Sequence, residues 1–103
     1  MIDWDRVREL KDEIGEEDFA EVAEMFIGEV EEVIDRLKAS PDPASFEADL
    51  HFIKSSALNL GFSDLSALCQ AGERQAAGGD ARSIDLAPVF ASYSASKEAF
   101  FAG

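Results

Sequence analysis

The stretch Phe19-Ala20-Glu21-Val22-Ala23-Glu24-Met25-Phe26-Ile27-Gly28-Glu29-Val30-Glu31-Glu32-Val33-Ile34-Asp35-Arg36-Leu37 decides the fold class. Its apolar positions are Phe19, Val22, Ala23, Phe26, Ile27, Val30, Val33, Ile34 and Leu37. They recur in steps of three and one, which marks one face of an amphipathic helix. The opposite face carries Glu21, Glu24, Glu31, Glu32 and Asp35. A helix over about residues 16–39 would be roughly 35 Å long at ~1.5 Å per residue.

On the N-terminal side, Gly15 separates this helix from a shorter one near residues 3–13, with Trp4, Val7, Leu10 and Ile14 as its apolar residues. On the C-terminal side, Ser40-Pro41-Asp42-Pro43 breaks the chain. Asp42 can cap a third helix, and Pro43 fits its first turn. In that helix Phe46, Leu50, Ile53, Ala57 and Leu60 form a buried seam. Gly61 ends it as a left-handed cap. Ser63 is the expected N-cap of a fourth helix over about residues 64–77, whose apolar face holds Leu65, Leu68, Cys69, Gly72 and Ala76. Gly78-Gly79-Asp80 breaks the chain again. Asp85 can cap the last helix, and Pro88 is tolerated in its first turn. Leu86, Val89, Phe90, Tyr93, Phe100 and Phe101 supply its apolar face, with Lys97 interrupting the stripe. Trp4 and the phenylalanines other than Phe62 are expected in the core, whereas Leu58 and Phe62 read as partly exposed near His51, an apolar patch. No segment alternates like a strand. The fold class is therefore all-α: an antiparallel up-down-up-down four-helix bundle, with the short extra N-terminal helix across one end.

The 103 residues make one domain, 1–103, too small for a second one holding a nucleotide. Asp and Glu number 22 against nine Lys and Arg, for a net charge of −13. Such a surface repels DNA, RNA and anionic membranes and favours a partner with a basic rim. Cys69 is the only cysteine, so no internal disulfide and no cysteine-based zinc site can form. It falls on an apolar face and reads as a small buried hydrophobe. No signal peptide and no membrane span is evident, and a cytoplasmic monomer is expected. The acidic runs Glu16-Glu17-Asp18 and Glu29 to Asp35 read as solvated helix faces rather than metal sites. A di-iron bundle site needs two histidines, and His51 is the only one. A Ser-His-Asp hydrolase lacks its Gly-x-Ser-x-Gly elbow.

His51 lies one position past Leu50, about 100° around the helix from the seam. With Glu47, Lys54 and Leu58 it forms a second stripe at the bundle's shoulder. An imidazole there is a nucleophile near neutral pH. A partner protein can bring the other half of the active site, because phosphoryl transfer is mostly positioning and charge stabilisation. A cation such as Lys54 at ~4 Å is worth on the order of 1–4 kcal/mol. Ser55 is small, leaves room for an approaching protein and offers one hydroxyl. By spacing alone, a histidine with a lysine three residues on is also an ordinary surface pair.

The run His51-x-x-Lys54-Ser55-Ser56-Ala57-x-Asn59-x-Gly61-x-x-x-Leu65-x-x-x-Cys69-x-x-x-Glu73 resembles the histidine-containing phosphotransfer (HPt) domain of two-component phosphorelays. Ile14-Gly15 with the acidic opening after it, Phe26, Leu37 and the Gly78-Gly79-Asp80 break extend the likeness over nearly the whole chain. The resemblance implies a four-helix bundle with His51 phosphorylated and Lys54 as the cation beside the phosphate. It implies phosphoryl exchange with response-regulator receiver domains, which would supply magnesium, and contact with a sensor histidine kinase, hybrid or not. The chain itself would hold no cofactor and no autokinase activity. A polar residue at the position of Glu73 would face the histidine from the next helix. Leu58, with Phe62 and Glu73, would meet the partner. Two positions depart from the family: Ser55 stands where glycine is usual, and Gly72 where a large apolar residue is usual. Gly72 leaves either a gap or a close helix approach. The competing readings are a helical interaction module that docks a receiver or kinase without carrying phosphate, and a chemotaxis-type phosphoacceptor domain phosphorylated by a separate kinase core.

Overall fold

In the computed structural model, which describes residues 2–103, helical periodicity becomes five α-helices. They are α1 (Trp4–Ile14), α2 (Glu16–Ala39), α3 (Phe46–Leu60), α4 (Ser63–Ala77) and α5 (Ala87–Ala102), and no strand occurs among the described residues. Gly15, at φ +84°, turns the chain from α1 into α2. The first turn of α2 carries Glu16, Glu17 and Asp18 and its last turn Arg36 and Lys38, the arrangement its macrodipole favours.

The breaks act as the sequence implies, with local shifts. Asp42 accepts from the Ala44 amide at 3.0 Å, but the turn it caps is a 3₁₀ turn, Pro43–Ser45, and α3 starts only at Phe46. Arg36 then donates two hydrogen bonds to Asp49, at 2.7 and 3.0 Å, tying the end of α2 to the start of α3. Gly61 adopts the left-handed conformation, φ +76°. Ser63 is a correction: it is the first residue of α4, and Phe62 occupies the N-cap position. Asp85 caps as expected, accepting from the Ala87 amide at 3.0 Å.

The α3 seam is buried, with Leu50 and Ile53 fully enclosed among Val30, Ile34, Leu37, Leu65 and Cys69. The most extensive helix contact is that of α3 with α4. Gly72 explains it. A Cβ there would stand 2.7 Å from Leu50 Cδ1, so the missing side chain is the space that Leu50 fills. Close approach, not a gap, is the outcome.

Phe100 organises the other end of the bundle. Phe62 meets it edge-on at 5.5 Å, Phe19 tilts against it at 6.0 Å, and Trp4 stacks on it at 6.4 Å. Helix α1 closes this end, where the Asp3 amide donates to the Gly61 carbonyl at 2.7 Å. Four core assignments need correction. Trp4 is 41% exposed, because Phe100 covers only one of its faces, and Phe101 and, less so, Phe52 are also exposed. Leu68 is likewise exposed, one position before the buried Cys69. Glu31, assigned to the solvated face, instead accepts from the Tyr93 hydroxyl at 2.8 Å and pairs with Lys97, so the lysine that interrupts the α5 stripe has a partner on α2.

Candidate functional site

Leu50 and Gly72 touch across the α3–α4 contact, so the next residue on each helix, His51 and Glu73, emerges side by side at its rim. His51 Nδ1 lies 2.5 Å from Glu73 Oε2, and Lys54 Nζ donates to Glu73 Oε1 at 2.6 Å. One carboxylate thus holds both groups, one on each oxygen. The His51 side chain is 61% exposed, while Glu73 and Lys54 are mostly covered. Lys54 is therefore not a free surface ammonium but is drawn into the helix junction.

The carboxylate is a strong acceptor. The Lys54 hydrogen bond holds its pKa below the ordinary carboxylate range; partial burial opposes that, and the His51 contact adds to the lowering. An ionised carboxylate against Nδ1 selects the tautomer with the proton on Nδ1, which leaves a lone pair on Nε2. Beneath this pair, burial pushes the Cys69 thiol up to about 12, with the Glu73 charge adding to the shift, so the sulfur stays protonated and inert.

Around the ring the surface is shallow. Ala44, Glu47, Ala48, His51 and Glu73 line a recess beside it. Ser55 is exposed, and its carbonyl accepts from the Asn59 amide at 3.1 Å. Leu58 projects from α3 at 56% exposure, the largest fractional exposure among the large apolar residues described. Phe62 is a correction. It was expected to be part of an open apolar patch, but it is 1% exposed, because it points into the aromatic cluster on Phe100 and cannot touch a visitor directly. Among the described residues, no group of three or more His, Cys, Asp or Glu could hold a metal ion, and no helix is long and apolar enough to cross a membrane.

Helical architecture and a histidine open at the α3–α4 rim coincide with one family profile, described as Hpt domain, which matches residues 21–97. The chain belongs to the Hpt family. Membership places it in two-component signalling as a phosphotransfer protein, with phosphocarrier rather than catalytic character and with receiver domains and kinases as its class of partner. Helix α1 lies outside the matched region. No curated protein and no solved structure matches the chain significantly.

His51 and Lys54 are neighbours as the sequence indicated, and Glu73 faces the histidine from the next helix as the family resemblance implied, besides its expected contact with a partner. Its signal was available in the helix register. Glu73 follows Gly72 as His51 follows Leu50, and two helices that touch at one pair bring the adjoining pair together.

Proposed function

We propose that His51 Nε2 accepts a phosphoryl group from the aspartyl phosphate of a receiver domain and passes it to the aspartate of another, the whole chain acting as one cytoplasmic carrier. The observation that carries this reading is the ring itself: Nδ1 is held by a buried-edge carboxylate while most of the side chain faces solvent. The Nε2 lone pair attacks phosphorus, the P–N bond forms as the P–O bond to the aspartate breaks, and the carboxylate leaves. The reverse sequence delivers the group onward. Positive charge near the transferred oxygens comes from magnesium held by the receiver, with the Lys54 ammonium, hydrogen-bonded to Glu73 beside the ring, able to contribute only as it leaves that carboxylate. The exposed Leu58 offers the visiting domain an apolar anchor, and the small Ser55 lets it come close.

The test is transfer of label. Mixing wild type with a phosphorylated receiver should place acid-labile phosphate on the chain, and His51→Gln should receive none while keeping its helical spectrum. Label that persists in His51→Gln moves the site elsewhere. A folded wild type that takes no label from receivers or from kinase cores favours the alternative, an interaction module without phosphate.

A further inference from the structure

A carboxylate beside a phosphate site is electrostatically the wrong sign for storage. Glu73 is ionised, sits on the ring nitrogen opposite the attacking one, and occupies the ammonium that would otherwise be free for the phosphoryl oxygens. We propose that Glu73 is a positioning residue that keeps Nδ1 of phosphorylated His51 protonated, so that the phosphoryl group is held in its readily donated form. This rests on the reading that Nε2 carries the group.

The chemistry follows from electron counting. When Nε2 with a proton on Nδ1 attacks phosphorus, the product ring is cationic: P on Nε2, H on Nδ1. Breaking the P–N bond returns the electron pair to Nε2. From the protonated ring the leaving group is neutral imidazole. From a ring that has lost the Nδ1 proton it would be an imidazolide anion, a far poorer leaving group. An acceptor that retains this proton therefore favours departure of the phosphoryl group to a receiver aspartate or to water. Glu73 Oε2 is placed to do so at 2.5 Å.

The charged neighbours of the ring are few. Glu47 on α3 lines the same recess and adds to the effect, Lys54 on α3 opposes it but is bound to the same carboxylate, and Cys69 on α4 is a neutral thiol. An opposite charge in contact favours the protonated form of its partner, and exposure weakens the effect.

The experiment uses the full chain phosphorylated chemically with phosphoramidate, which needs no partner protein. Phosphate release is followed from about pH 5 to about pH 9 for wild type, Glu73→Gln and Lys54→Gln. Glutamine still accepts the Nδ1 proton but brings no charge. Release should be alike at about pH 5, where both rings are protonated. Near pH 8 wild type should lose phosphate roughly 3–10-fold faster, with the alkaline limb of Glu73→Gln lying about one pH unit lower. Lys54→Gln should keep its limb at or above that of wild type. Superimposed wild-type and Glu73→Gln profiles would overturn the proposal. So would a ratio that stays constant across pH, which assigns the effect to release of Lys54, or a Lys54→Gln limb that falls as far as that of Glu73→Gln. Receiver transfer is a separate measurement, so its failure would remove the relay reading without touching this profile.

Discussion

Glu73 and Glu31 make almost the same set of contacts on opposite sides of the bundle. Each bridges two helices, and each pairs with one lysine and one ring-bearing donor: Lys54 with His51, Lys97 with Tyr93. Both carboxylates are pulled below their ordinary range, chiefly by the lysine hydrogen bond. The difference lies in the second donor. Tyr93 is buried, and burial together with Glu31 pushes its hydroxyl well above the ordinary phenol range, so it stays a neutral donor with nothing left to offer. His51 has a second nitrogen and stands in solvent. The same charge motif is a strut at α2–α5 and, under the proposed function, the support of a nucleophile at α3–α4. Charge clustering alone does not distinguish them; an open lone pair does.

The comparison breaks most sharply on labelling. His51→Gln should lose all phosphoryl acceptance, whereas Tyr93→Phe should accept at the wild-type rate; a large loss in Tyr93→Phe would mean that the two sides are coupled. The next effect concerns the contact that aligns His51 with Glu73. In Gly72→Leu the new side chain must displace Leu50, which is fully enclosed. Overpacking of about 1–3 kcal/mol outweighs the ~1 kcal/mol of helix propensity regained. A net loss of up to about 2 kcal/mol in urea unfolding is expected, with slower phosphoryl acceptance. Faster acceptance and higher stability would show that the close approach is incidental. Tyr93→Phe should cost about 1 kcal/mol, since one hydrogen bond to a charged acceptor goes while Lys97 keeps its pairing with Glu31.

The smallest effect is in acid. A carboxyl whose folded pKa is depressed contributes stability that is present above its unfolded pKa and is lost as pH falls through the folded value. For Glu31, lowered from 4.5, the loss begins below about pH 5. Relief of repulsion among the many other acids opposes it in the absolute curve. The difference between wild type and Glu31→Gln removes that common part. It should shrink as pH drops from about 5 to about 3, and a difference independent of pH would show that the pairing contributes nothing.

How far the sequence reached depends on the kind of residue. Inside helices, periodicity locates side chains well: the bounds of α2, the α3 seam and the shoulder position of His51 all follow from 3.6-residue geometry. Phe62 lies in the turn between α3 and α4, where no period applies, and its direction is set by Phe100, 38 positions away in the chain. Trp4 belongs to an apolar stripe, yet a stripe does not say how much partner surface reaches the first turn of a helix. Glu31 and Lys97 each look like a solvated charge until α2 and α5 are set side by side. The facing of Glu73 and His51 came from the family resemblance; helix register alone reaches it only once Gly72 and Leu50 are known to touch.

At Gly61 a Cβ would come within 2.6 Å of the Asp3 carbonyl oxygen, in a backbone conformation that already disfavours side chains. The strand-like clasp between the first residues and the α3–α4 turn therefore works like a buckle whose tongue has no room to thicken. Any side chain at that glycine would prise α1 from the bundle, uncover the Phe62–Phe100 ring pair and leave a wet, adhesive end, so defects there should surface as insolubility before they surface as lost signalling.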